Sequence, residues 1–425
     1  MENKIFSVAI LGVGGRGGDS YGKIMNGMTG RYKIVSLCDL RPERLSRFGE
    51  KFGVAESERF TDENEFFAKK RADVIVIATQ DKDHVRQAIK ALELGYDLLL
   101  EKPISDDKAE LERLLAARKK YGGKVLVCHV LRYAPAFMKV AELIDGGEIG
   151  QLVAINALER VTFWHQAHSY VRGNWRKSEE TSPMIMAKCC HDLDLLQFYA
   201  KSECESISSV GDIAYFKREN SPEGSSDRCV DCKYADTCPY SAKKIYVEWW
   251  KSQGKPEDYW PFNVIVQAPL TEEKLAEAIK SGPYGRCVFK CDNDVVDHQI
   301  VEMKFKNGVK AELTMMGFTK QCGRRYTFFG TCGDITLDES TDSIIVHRFT
   351  LSDEDDYTIS VKPLVEGGYG HGGGDGGIIN ALYEILSGRG TEETSLDKSV
   401  ESHLMSIAAE DARLSGKVVN LRDMR

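Results

Sequence analysis

The chain lacks any stretch near the roughly 18 apolar residues of a spanning helix, so no membrane partner is expected. It also lacks a long basic run. Its 57 Lys and Arg are outnumbered by 65 Asp and Glu, for a net charge of -8. That balance argues against nucleic acid as a partner. Repeats and low-complexity segments are missing too. The opening residues, MENKIFSVAILGVGG, do not run through charged region, long apolar region and small-residue cleavage site in turn. A secretory leader is therefore not expected, and the protein is placed in the cytoplasm.

What is present fits a soluble enzyme of two domains. The 425 residues exceed what one hydrophobic core holds, and 42% hydrophobic with 29% charged residues is ordinary for a globular chain. Short apolar runs at 5–12, 33–39, 73–79, 97–100 and 124–128 alternate with helical stretches at 83–94 and 107–120. This predicts a doubly wound parallel sheet over residues 1–125. After a helix at 135–145 the texture changes. Long strands are expected at 152–163, in a hairpin over 298–316 turning at Asn307-Gly308, and at 324–330 and 334–337. Residues 126–425 thus read as an α+β domain with a large, mostly antiparallel open sheet, interrupted by a Cys-rich insertion at about 204–295. Helices at 375–387 and 398–413 and an edge strand at 418–421 complete it.

The fold class is therefore α/β, an N-terminal Rossmann domain followed by that α+β domain. Gly12, Gly14, Gly15, Arg16 and Gly17 form G-x-G-x-x-G directly after the first strand. The first glycine permits the tight turn, the second lets a pyrophosphate approach the backbone, and the third allows close packing of helix on strand. The helix start then offers free N–H groups to phosphate. The second strand ends in Asp39, 22 residues after Gly17, where a carboxylate binds ribose hydroxyls. Asp39 favours NAD. Arg41 beside it keeps NADP open, its alternative being a solvated surface arginine. Ala78 and Thr79 end the third predicted strand, where further cofactor contacts are expected. His84 either lines that pocket or caps the next helix.

Glu101-Lys102-Pro103 follows the next strand. With the glycine motif it resembles the signature of the family of glucose–fructose oxidoreductase, inositol dehydrogenase and MocA proteins. The resemblance continues through His129-Val130-Leu131-Arg132-Tyr133, Gly147-Glu148-Ile149-Gly150 and His191-Asp192-Leu193-Asp194-Leu195-Leu196. It implies an NAD(P)-dependent oxidoreductase acting on a sugar, inositol or related polyol, and homo-oligomers, dimers or tetramers, built through the open sheet. It also implies that Glu101 and Lys102 face the cofactor, that Lys102 touches the reacting hydroxyl, and that a cis bond precedes Pro103. The chemistry supports the carry-over. Hydride leaves a carbinol carbon only if the hydroxyl proton leaves too, so a base and a neighbouring cation are needed. His191 is expected as the base and Lys102 as the cation. One departure stands out. Many family members carry an aspartate four residues before the histidine, and here that place holds Ala187. Lys188 next to it is either a second cation in the site or a partner of Asp192.

A substrate wall is expected from Tyr133 and from the run Trp164 to Trp175, with Trp164, His165, His168, Arg172 and Trp175 facing a sugar. Tryptophan faces stack on sugar rings and the polar groups bind hydroxyls; a partly buried loop is the alternative. His371, in a glycine-rich turn ahead of Asp375, either reaches the substrate or only shapes the turn, and Asp375 is expected to cap the following helix. The motifs Trp-His-x-x-His-Ser and His-Gly-Gly-x-Asp resemble a second branch, the NAD-dependent glycoside hydrolases. There a transient oxidation at C3 and an elimination cleave the glycoside with no net use of NAD.

Eight of the twelve cysteines fall from Cys204 to Cys332. Cys229-x2-Cys232-x5-Cys238 with Cys287 or Cys291 is a plausible thiolate set. Structural zinc, free or disulfide-linked cysteines, and an iron–sulfur cluster all remain open. Asp292, Asp294, Asp297 and His298 read as solvated turn residues.

Overall fold

A computed structural model describes residues 4–362 and 370–424. The first sheet holds β1 (Phe6–Leu11), β2 (Tyr32–Cys38), β3 (Arg59–Phe60), β4 (Val74–Ile77), β5 (Asp97–Leu100) and β6 (Val125–Val127). Their order is β3-β2-β1-β4-β5-β6 and every pairing is parallel. The continuous apolar runs predicted this: a parallel sheet is covered on both faces, so alternate residues cannot be polar. Val74, Ile75, Val76 and Ile77 are all fully buried. The two-residue β3 was too short to read from sequence.

The second sheet holds nine strands. They are β7 (Leu152–Arg160), β8 (Cys204–Asp212), β9 (His298–Phe305), β10 (Lys310–Met316), β11 (Gly323–Gly330), β12 (Gly333–Asp338), β13 (Ser343–Arg348), β14 (Tyr357–Ser360) and β15 (Val419–Asn420). The order is β14-β13-β12-β11-β7-β10-β9-β8-β15, antiparallel except where β7 meets β10. The hairpin β9–β10 turns through Gly308 as expected. Cys204–Asp212, assigned in the sequence to the insertion, is instead a strand of this sheet. Alternate residues of β9 and β10 are buried against the helices Cys190–Ala200 and Leu396–Ser415, and the others face outward.

Two long-range features position the site. The helix Gly374–Leu386 returns to the first sheet, where Ile378, Ile379 and Leu382 join Val8, Ile10, Val74 and Val76 in one apolar cluster. The opposite face of that sheet shares a core with the second one. The two halves therefore meet along one cleft. Residues after β8 form a separate apolar cluster around Tyr246, Trp250, Phe262 and Leu275, which takes in Ala167 and Val171. This segment leans over the cleft, and its Asp258 pairs with Arg47 on the helix Pro42–Phe52 of the first half. Among the described residues no helix is long and apolar enough to cross a membrane.

Candidate active site

The glycine turn is built by backbone crowding. A side chain on Gly12, at φ +87°, would meet the Ala78 carbonyl oxygen at 2.5 Å, and one on Gly17 would meet the Gly12 oxygen at 2.0 Å. These two glycines fold the loop onto the sheet. Gly15 has nothing within 4 Å of where a side chain would stand, and Gly14 meets only Arg44, so this edge faces the cleft. Asp39 closes the turn. It accepts the Val13 N–H at 2.9 Å and the Arg41 N–H at 3.0 Å. Arg44 stands 3.6 Å from the same carboxylate, a residue the sequence reading missed. Arg41 points into solvent. The open loop edge, the helix start and the carboxylate at the end of β2 fit a dinucleotide.

Arg16 does not face the cleft as a lone cation. Its guanidinium donates to Glu101 at 2.7 Å, to Asp375 at 3.0 and 2.9 Å, and to the Tyr21 hydroxyl. Tyr21 also donates to Glu101, whose other oxygen accepts the Lys102 N–H at 2.8 Å. Burial would raise the Glu101 carboxyl, but Arg16 and Lys102 hold it below its ordinary range. Burial works the same way on Asp375, and His371 and Arg16 likewise hold it low. Asp375 is thus an ion-pair partner of Arg16; the residue at the helix cap is Gly373. This cluster ties the glycine loop, the end of β5 and the returning helix together. Its effect on Lys102 is positional. His84 is buried and donates from Nδ1 to the Pro103 carbonyl at 2.7 Å, fixing the turn after Lys102 from the other side. The bond before Pro103 is cis. Ala78 and Thr79 directly follow β4 (Val74–Ile77) at the mouth of the cleft, Thr79 donating to Gln87.

Lys102 reaches across to the second half and donates to the Ala187 carbonyl at 3.0 Å. Ala187 thus holds this lysine through its backbone, with no side-chain acid. His191 lies four residues on, 5% exposed, with a buried Nδ1 that has no partner among the described residues. Its ring is 5.9 Å from that of His371 and 6.0 Å from that of His129. Burial, Lys102 and His371 hold the His191 imidazolium well below the usual histidine range, so His191 is neutral near pH 7. A neutral imidazole beside an ammonium is a base placed next to a cation. His371 is about one-third exposed and bonds Asp375 at 3.1 Å.

The floor beside this corner is a buried four-charge network. Lys188 pairs with Glu159 at 3.1 Å, Arg324 with Glu159 at 3.1 Å and with Asp192 at 2.8 Å, and Tyr326 donates to Asp192. Lys188 therefore pairs with Glu159 and not with Asp192. Glu159 and Arg324 were not singled out by the sequence because they sit on β7 and β11, far apart in the chain.

The aromatic wall forms in part. Trp164 stacks on His165 at 5.6 Å and meets Trp249 and Trp260 at 4.7 and 5.2 Å. His165 meets Trp260 at 5.1 Å. His168 stacks on Tyr284 at 4.9 Å and bonds the Tyr246 hydroxyl at 2.8 Å; burial lowers its pKa to about 3. Three other expected residues lie elsewhere. Arg172 is buried under the cysteine cluster, donating to the carbonyls of Arg286 and Tyr240. Trp175 packs on the main core. The Tyr133 hydroxyl meets Thr394 at 3.1 Å beneath the returning helix. The wall is completed instead by Trp249 and Trp260, whose aromatic run within the insertion was the available signal.

Cys229, Cys232, Cys238 and Cys287 converge, but no three of their sulfurs lie within 4.8 Å of one another. A zinc tetrahedron needs about 3.8 Å, from Zn–S bonds of about 2.3 Å, so the expectation of zinc is not supported. Among the described residues, the group within ligand spacing is Asp212, Asp297 and His298. Asp297 is not a solvated turn residue. It is fully buried and accepts the N–H groups of Ala214 and Tyr215. Asp292 and Asp294 are solvated, and pair with Arg176, Arg286 and Lys177.

Residues 6–129 match the model of an oxidoreductase family with an NAD-binding Rossmann fold, and residues 141–421 match its C-terminal alpha/beta domain. The chain is 25% identical over 396 residues to the putative oxidoreductase YteT of Bacillus subtilis, covering 86% of this chain and 87% of that one. It is 23% identical over 213 residues to an inositol 2-dehydrogenase of Salmonella typhimurium, covering 50% of this chain and 58% of that protein. Its fold superposes on the WlbA dehydrogenase of Bordetella pertussis, solved with NADH and UDP-GlcNAcA, with TM-score 0.71 at 16% identity over 99% and 98% of the two chains.

Proposed function

The chain belongs to the Gfo/Idh/MocA oxidoreductase family, and from that premise we propose that it transfers hydride between NAD and a hydroxyl-bearing carbon of a sugar, inositol or related polyol. The observation that carries the reading is that Lys102, anchored on the Ala187 carbonyl, and His191 come together at the end of the glycine-lined cleft, where burial first and the lysine second keep the imidazole neutral and able to take a proton. NAD, when bound, supplies the hydride acceptor. Gly14, Gly15 and the helix start would hold its pyrophosphate, and Asp39 its ribose; the carboxylate there disfavours a 2′-phosphate. Lys102 binds and polarises the substrate hydroxyl oxygen. His191 takes the proton of that oxygen and returns it in the reverse direction. Trp164, His165 and Trp260 cover the sugar face and exclude water. The name of the inositol 2-dehydrogenase, and the UDP-GlcNAcA bound to the WlbA dehydrogenase, support a hydroxyl-rich substrate of this class.

Incubation with NAD and a panel of inositols, aldoses and nucleotide sugars tests the proposal. Stoichiometric reduced cofactor with at least one of them is expected; no reduction across the panel would overturn it. A second reading, glycoside cleavage through a transient oxidation, is favoured by Ala187, which leaves His191 without the usual acid partner. It predicts aglycone release from a nitrophenyl glycoside with no net reduction of NAD.

The outer face of the nine-stranded sheet carries Val210 paired with Ile300, and Phe329, at 66, 38 and 40% exposure. We place the contact of a homodimer or tetramer there, and the protein in a reducing cytoplasm. Gel filtration with light scattering checks the first.

A further inference from the structure

No step above uses the cysteine cluster. Cys229, Cys232 and Cys238 come from one loop and Cys287 from another, and all four border one cavity of about 40 Å³. That is several times the roughly 10–15 Å³ one water needs by the same measure. The four are free thiols whose sulfurs surround a space and do not converge on a point. A single ion at bonding distance would draw them together; a cluster with four metal corners holds them apart.

Two further observations call for negative charge at these sulfurs. The backbone N–H groups of Tyr240 and Phe289 are aimed at the Cys238 and Cys287 sulfurs, two residues back along the chain. Hydrogen bonds of this kind gain most of their strength when the acceptor is ionised. Arg172 is 1% exposed and donates to the Cys229 sulfur at 3.5 Å as well as to two carbonyls, while its Nη1 meets no acceptor at hydrogen-bonding geometry among the described residues. It forms no ion pair with a carboxylate among the described residues. A buried guanidinium without a counter-charge is costly, and neutral thiols provide none. Four thiolates around a 2+ cubane core carry a net charge of -2.

We propose that Cys229, Cys232, Cys238 and Cys287 ligate a four-iron iron–sulfur cluster, with Arg172 as its buried counter-charge. Each thiol gives up its proton on ligation. The cluster ties the loop Cys229–Cys238 to the segment that carries Tyr284, which stacks on His168 in the cleft wall. Its role is to brace the covering segment.

The test is metal and sulfide analysis of the full chain purified without oxygen from iron-replete cells. About four iron and four acid-labile sulfide per chain are expected, with a brown charge-transfer absorption. Cys232→Ser should lose at least half of both, and Cys332→Ser, at an exposed cysteine outside the cavity, should keep them. If Cys232→Ser is insoluble, the wild-type content decides alone. One zinc per chain without sulfide, or metal-free protein with all four thiols open to alkylation, would overturn the proposal.

Discussion

The two walls of the cleft are held by different means. On the cofactor side the shape comes from backbone: Gly12 and Gly17 admit carbonyl oxygens where a side chain would collide, and Asp39 accepts two loop N–H groups. On the substrate side the shape comes from side chains of distant segments. Glu159, Lys188, Asp192 and Arg324 arrive from two strands, a helix and the turn before it, and neutralise one another largely away from water. The first wall is specified within 40 residues and suits a ligand common to many enzymes. The second is assembled over most of the chain, so it can change with the substrate while the first stays constant.

Variants can break this contrast. The largest effect is expected from Lys102→Ala, which joins the two walls. Turnover should fall by about 10²–10⁴-fold, the usual share of an acid–base or charge-stabilising group, while NAD affinity by calorimetry changes by less than about threefold. Equal loss of both would make Lys102 a cofactor residue only. Next, Arg324→Ala leaves Asp192 and Glu159 buried with Lys188 alone. Breaking a buried pair costs about 3–5 kcal/mol, so a large drop in denaturation midpoint is expected, with the glycine loop still binding NAD at low temperature. Loss of cofactor binding in the folded variant would show that the walls are not separate.

Acid is a further probe, because four buried histidines lie in the second half and where the two halves meet. Burial, foremost, holds His129, His168, His191 and His403 below the ordinary value of 6.5, with His168 and His403 at about 3. Below pH 6.5 the unfolded chain binds protons at these positions that the folded chain does not. Their contribution is therefore fully present above pH 6.5 and is lost as pH falls toward 3, by up to about 1.4 kcal/mol per pH unit for each. Urea unfolding followed between pH 7.5 and 5 should show that steep loss; a flat profile would mean that these rings charge in place. The smallest effect is expected from Asp39→Ala, about tenfold on NAD affinity and less on NADP. Equal loss on the two would remove Asp39 from the ribose.

The contrast also explains what was legible in the sequence. Every long strand of the first sheet, and the position of Gly12 to Gly17, Asp39 and Lys102 at the ends of those strands, could be read in advance, because their signals are local in the chain. The hairpin at Gly308 was legible for the same reason. Partner choice was not. Arg172 looked like a sugar ligand by its neighbours but is buried among carbonyls and sulfurs, and Asp375 looked like a cap but binds Arg16, 359 residues away. Cys204–Asp212 was hidden as a strand because its alternation, C-E-S-I-S-S-V-G-D, is polar on both faces at several positions. Trp260 shows the same limit: its residue type suited the cleft, but only the fold brings it to His165.

The central claim is that Lys102 and His191 act on one oxygen atom. A double-mutant cycle on single-turnover hydride transfer, using Lys102→Met, His191→Asn and the double variant with the best polyol of the panel, tests it most directly. Groups that serve one oxygen act as a unit, so the double variant should be about as slow as the slower single one. Losses that multiply would place the two side chains on separate tasks and contradict the account.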